Sequence, residues 1–91
     1  MIKRDVKASQ VHLTFVLPQE QPAGRVSVVG DFNEWTPGRH LLAKRSNGTR
    51  SVKVTVAPGA TYRFRYLGEN GQWFDDPQHE LRHGQDGVVH A

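Results

Sequence analysis

Apolar and polar residues alternate with a period of two through much of this chain, the mark of strands that bury one face. Val11, Leu13, Phe15 and Leu17 fall on one side of such a run, with His12, Thr14 and Val16 opposite, until Pro18 ends it. Gln19 to Gly24, with Pro22 inside it, reads as a loop. Arg25 to Val29 is a shorter, nearly continuous apolar strand closed by Gly30. Asp31 to Arg39 holds Asn33, Pro37 and Gly38, all turn formers, and reads as a long connection that carries Trp35. Leu41 to Arg45 and Thr49 to Val56 flank Ser46-Asn47-Gly48, and an Asn-Gly pair between extended runs predicts a hairpin because both residues tolerate positive φ. After a turn at Pro58-Gly59, Tyr62, Phe64 and Tyr66 alternate with Arg63 and Arg65, which predicts a strand with an aromatic core face. Glu69-Asn70-Gly71 turns the chain back into Gln72-Trp73-Phe74, and Gly87 to His90 supplies a last strand.

Helical periodicity is almost absent. About six to eight short strands separated by turn signals predict an all-β protein, an antiparallel β-sandwich of immunoglobulin-like type. Residues 1–10 are expected to be loosely ordered and 11–91 to form one domain, since 91 residues do not divide into two independently stable cores. With hydrophobic residues at only 36% of the chain, two packed layers are about what it can bury, which leaves little room for a deep cleft.

Composition narrows the chemistry. With no cysteine, disulfides and thiolate metal sites are excluded. The basic N-terminus lacks a signal-type apolar run behind it and no membrane-spanning stretch follows, so a soluble, cytoplasmic protein is expected, with no membrane partner. A net charge of +3 would suit a polyanion, and eight of the twelve basic residues are arginines. They are scattered; Lys44-Arg45 and the pair Arg63 and Arg65 come nearest to a cluster, and no nucleic-acid partner is expected.

One short pattern needs weighing. His79-Glu80-Leu81-Arg82-His83 matches H-E-x-x-H, which on a helix sets two zinc-binding histidines beside a general base. Asp76, Pro77 and Gly84 would even cap a short helical turn. The segment lacks the amphipathic length of a helix that carries this motif, only about eight residues follow with Asp86 or His90 as strained third ligands, and a thin sandwich offers no substrate cleft. A solvated loop is the plainer reading, and no metal or other cofactor is expected. Asp75 and Asp76 are adjacent on an extended chain and so point to opposite faces, unlike a catalytic acid and base. The serines lack a nucleophile-elbow context and no glycine-rich phosphate loop precedes a helix. The chain is not expected to be an enzyme.

The two tryptophans remain. Trp35 lies between Asp31, Asn33 and the turn Thr36-Pro37-Gly38; Trp73 follows Asn70-Gly71-Gln72. In a small sandwich a tryptophan is most simply core. At turns, however, an indole can stand clear of the sheet and offer a flat apolar face to the C–H face of a sugar ring, while the outward Arg63 and nearby polar groups bind hydroxyls.

At these residues the chain resembles a known family. Val28-Val29-Gly30-Asp31-Phe32-Asn33-Glu34-Trp35, then Tyr62-Arg63-Phe64-Arg65-Tyr66, then Asn70-Gly71-Gln72-Trp73 and Asp76-Pro77, look like the glycogen-binding module of carbohydrate-binding module family 48. That family includes the glycogen-binding domain of the AMP-activated protein kinase β-subunit and the N-terminal early-set domains of isoamylases and glycogen branching enzymes. The resemblance runs from about Val11 to Val89. It implies an early-set, immunoglobulin-like sandwich that binds α-1,4-linked glucan such as glycogen or starch. It makes Trp35 and Trp73 the stacking platforms, Arg63 the counterpart of a basic residue that contacts hydroxyls, and Asp86 the counterpart of an asparagine. Gly30, Phe32 and Asn33 would structure the loop. The chain departs from the family by arginine in place of the usual lysine at position 63, by a hairpin lengthened through Leu67-Gly68-Glu69-Asn70, and by an acid at position 86. An interaction module that docks on a glucan-metabolising enzyme or kinase-like partner, without itself binding sugar, is the alternative.

Overall fold

The computed structural model describes residues 2–19, 24–75, 82–84 and 86–91. Its strands are β1 (Ile2–Lys7), β2 (Gln10–Pro18), β3 (Val26–Gly30), β4 (Ala43–Lys44), β5 (Thr49–Val56), β6 (Thr61–Gly68), β7 (Trp73–Phe74), β8 (Arg82–His83) and β9 (Asp86–His90). A 3-10 turn, Asp31–Asn33, follows β3. All strand pairs are antiparallel, and they form two sheets: β1-β2-β5-β4, and β3-β6-β9-β8 with β7 also paired to β6. Six strands have five residues or more, within the expected six to eight; β4, β7 and β8 are two-residue additions. Lettering β1 to β6 as A to F and β9 as G, the sheets read A-B-E-D and C-F-G, the strand order of a constant-type immunoglobulin domain.

The core follows from the alternation. Val11, Leu13, Phe15 and Leu17 of β2 are buried and register against Val56, Val54, Val52 and Arg50 of β5. Phe64 and Tyr66 of β6 face them across the sandwich. Phe15 is the hub, with ring centroids 5.2 Å from Phe64, 5.6 Å from Phe32 and 6.4 Å from Tyr66. Phe15 and Phe64 thus join strands B and F, where antibody domains place their inter-sheet disulfide. Tyr62, at the corner between β5 and β6, donates its hydroxyl to the Ala57 carbonyl at 3.4 Å, in the manner of a tyrosine corner.

Two expectations need correction. Residues 2–7 are not a loose tail: Ile2–Lys7 pairs with β2 along its whole length, from Ile2↔Phe15 to Lys7↔Gln10. Its polar, exposed face hid it, because an edge strand that covers one side of a sheet carries few apolar residues. Leu41 to Arg45 is likewise not one strand. Leu41 bridges Ser27 of the second sheet, whereas Ala43–Lys44 pairs with β5 of the first, so the chain changes sheets between them. The hairpin around Ser46-Asn47-Gly48 forms as the Asn-Gly pair predicts, with Gly48 at φ +80° and the Arg45 N–H donating to the Thr49 carbonyl at 2.7 Å.

Candidate functional site

β6 positions the site. Phe64 and Tyr66 point into the core, so Arg63, Arg65 and Leu67 project from the opposite face of the second sheet. β3 flanks this face on one side, with Val29 level with Arg65. Along the other edge β9 pairs with the first half of β6 and β7 with the second: Val88 is level with Arg63, and Trp73 with Leu67. β3 is covered on both faces, and all five of its residues are buried. The connection after it lies against its outward side and free edge: Gly38 N–H donates to Ser27 Oγ, Val28 N–H to the His40 carbonyl, and Leu42 N–H to the Val26 carbonyl.

Trp35 is held from that connection. Gly30 is extended, and a Cβ there would run into the Arg63 carbonyl oxygen and approach the Phe32 ring within 3.0 Å, so glycine is required for the close approach of β3 to β6. Asn33 is 1% exposed and uses its whole amide: Oδ1 accepts from Gly30 N–H at 3.0 Å, and Nδ2 donates to the Val28 carbonyl at 3.0 Å and to His40 Nδ1 at 2.9 Å. Because Nδ1 accepts, the His40 proton sits on Nε2 and the ring is neutral. Burial pushes the His40 pKa down from its ordinary value, and Arg39 adds to the shift. Phe32 fills the space between the loop and the core, against Phe15, His40 and Tyr62. Glu34 and Trp35 then adopt φ of +56° and +57°, a left-handed pair that turns the indole away from the path of the strand. The Trp35 Nε1–H donates to Asp31 Oδ1 at 2.9 Å, and Asp31 Oδ2 accepts the backbone N–H of Arg63 at 2.8 Å.

At the other end, Trp73 is 41% exposed on β7. The Arg65 guanidinium carbon lies 5.9 Å from its ring centroid, and Arg65 Nε donates to Asp75 Oδ1 at 3.1 Å. Phe74, the next residue, stacks inward on Tyr66 at 5.4 Å. Asp86 is half-buried at the start of β9; the register Phe64↔Gly87 sets it level with Arg65, toward the Trp73 end of the face. Arg63 is exposed at the Trp35 end. The levels of Arg63 and Leu67 are four residues apart, so the two tryptophans are tethered about 13 Å apart along β6.

Of the residues expected at the site, Trp73, Arg63 and Asp86 come to one outward face of the sheet, and Trp35 is tied to the Arg63 end of β6 through Asp31. The sequence reading did not single out Asp31, Arg65, Asp75 or His40. Asp31 and Arg65 left a signal: Asp31 precedes Trp35 by one tight turn, and Arg65 shares the outward phase of Arg63. The contact of Arg65 with Trp73 depends on the hairpin register, which the pattern alone does not fix. Of the His79 to His83 pattern, residues 79–81 lie outside the described residues, as do Asp76 and Pro77. Its last two residues are extended in β8, where Arg82 pairs with Gly87 and His83 with Asp86, rather than helical. Among the described residues no group of three His, Asp or Glu side chains converges as a metal site, and no helix is long and apolar enough to cross a membrane.

No protein-family model matches the chain. Curated relatives do. It is 48% identical over 54 residues to the 1,4-alpha-glucan branching enzyme GlgB of Rhodopseudomonas palustris (strain HaA2), a match that covers 55% of this chain and 7% of that protein. It is 40% identical over 72 residues to the GlgB of Shewanella sp. (strain W3-18-1), covering 76% of this chain and 9% of the relative. For the GlgB of Salinibacter ruber (strain DSM 13855 / M31) the figures are 43% over 54 residues, 58% and 8%. This chain is similar to a segment of glucan-branching enzymes. It spans less than a tenth of the length of these relatives, so the similarity concerns one small part of each.

Proposed function

We propose that the chain is a non-catalytic module, of the carbohydrate-binding family 48 type, that binds α-1,4-linked glucan by stacking sugar rings on Trp35 and Trp73, with Arg63 and Asp86 contacting hydroxyls between and beside them. The observation that supports this reading is that the two tryptophans are tied to opposite ends of β6, each through a carboxylate: Asp31 on the indole of Trp35, and Asp75 on the arginine beside Trp73. An extended apolar platform with polar groups between its ends suits a linear polyol. The charges near it are mixed, Arg63 and Arg65 among Asp31, Asp75 and Asp86, which suits a neutral ligand better than a polyanion. The relatives are named for action on 1,4-alpha-glucan, which supports the same ligand class. Hydroxyl-rich ligands exchange bonds to water for bonds to protein, so micromolar to millimolar affinity is expected. Titration of intrinsic tryptophan fluorescence with maltoheptaose tests the reading. A saturable change supports it; no change, together with no retention on amylose, contradicts it and favours docking on a glucan-metabolising enzyme instead.

A further inference from the structure

We infer that Arg65, held by Asp75, is the positioning residue for Trp73, and that it closes one face of that indole so that a single face is left for a ligand. The clamp rests on geometry alone; the statement that a sugar ring occupies the open face rests on the glucan reading above.

The backbone does little to orient Trp73. β7 is two residues long and pairs only through Tyr66↔Phe74 and Leu67↔Trp73, and its tryptophan is 41% exposed. A side chain so placed has rotamers to choose among unless something beside it selects one. Arg65 is that neighbour. It lies two residues from Leu67 on the same face of β6, which makes it the diagonal partner of Trp73 across the strand pair. Its guanidinium carbon is 5.9 Å from the ring centroid, inside the range in which a cation is attracted to the indole face.

Arg65 is itself oriented. Its Nε donates to Asp75 at 3.1 Å, and the side chains of both are largely shielded, with relative exposures of 21% and 31%. A bond at Nε anchors one edge of the guanidinium and so limits the orientations open to the whole group, which is rigid and flat. Asp75 follows Trp73 by two residues, so the pair ties the far side of β7 back to β6 and traps the indole within a closed ring of contacts. Lysine cannot do the same, since an ammonium is a point charge with no plane to lay against the ring. The consequence is directional. With the cation against one face, a pyranose can stack only on the other, and that choice fixes the side from which a glucan approaches Trp73.

The test uses Arg65→Gln and Arg65→Lys. In a Trp35→Phe background Trp73 is the only indole, since the chain has two tryptophans. Acrylamide quenching of Trp73 in the ligand-free protein is expected to rise, and its fluorescence anisotropy to fall, in Arg65→Gln and in Arg65→Lys, with the circular dichroism spectrum unchanged. In the protein with both tryptophans, the same substitutions are expected to weaken maltoheptaose binding by about two- to fivefold, the range a partly exposed cation–aromatic contact supports. Quenching identical to that of the parent in both Arg65 variants would overturn the clamp, even if the parent binds no glucan. Altered quenching with unaltered glucan affinity would overturn the single-face assignment while leaving the glucan reading standing.

Discussion

Trp35 and Arg63 share one carboxylate. Asp31 takes the indole N–H of Trp35 on Oδ1 and the backbone N–H of Arg63 on Oδ2, so a residue of a loop is pinned to a residue of the central strand β6 at two points only 2.9 and 2.8 Å long. The arrangement uses the polar edge of the Trp35 indole on Asp31 rather than on a ligand. Replacement of Asp31 by alanine is expected to lower stability by about 1 kcal/mol, as the net worth of these bonds at an exposed site suggests, and to weaken glucan binding by more than Asp31→Asn does. Urea denaturation and a fluorescence titration on the same samples check both parts.

Asn33 carries the loop. Its amide satisfies a buried N–H and a buried carbonyl of β3, and removing it strands both. Asn33→Ala should cost about 2–4 kcal/mol, a large share of the stability of a domain of this size. Chemical denaturation measures it directly.

Gly30 is needed for want of space rather than for an unusual backbone angle, because it is extended. Gly30→Ala forces a methyl group against the Arg63 carbonyl and the Phe32 ring. A loss of about 1–3 kcal/mol is expected, with the Trp35 loop displaced. Denaturation gives the first number, and a change in near-ultraviolet circular dichroism reports the displacement.

His40 makes the loop sensitive to acid. Its imidazole accepts from Asn33, and burial holds its folded-state pKa below the ordinary 6.5, so the unfolded chain takes up the proton first. Stability from this residue is therefore complete above about pH 6.5 and declines as pH falls from there through the folded-state pKa. His40→Gln keeps an acceptor without the titration. Between pH 7.5 and 5.5 the Tm of the parent should fall further than that of the variant, and parallel curves would show that His40 is not responsible.

How much of this was legible in the sequence follows from which forces act locally. The core strands were, because Val11 to Leu17 and Tyr62 to Tyr66 alternate cleanly and each buries one face. The turns at Asn47-Gly48 and Pro58-Gly59 were legible from backbone freedom. β1 was not, since Ile2–Lys7 is held by backbone pairing to β2 and shows almost no apolar phase. Nor was the sheet change between Leu41 and Ala43, which depends on the β3 edge needing a partner. The tryptophans announced themselves by their turns. The groups that orient them did not, because Asp31 acts on Arg63 from thirty-two residues away and Arg65 meets Asp75 and Trp73 only once the hairpin register is set.

Affinity electrophoresis in amylose gels shows whether Trp35 and Trp73 together hold one glucan. The parent protein is expected to be retarded, with Trp35→Ala and Trp73→Ala each losing most of that retardation while keeping the parent circular dichroism spectrum. Equal mobility of parent and both variants, with and without amylose, would contradict it.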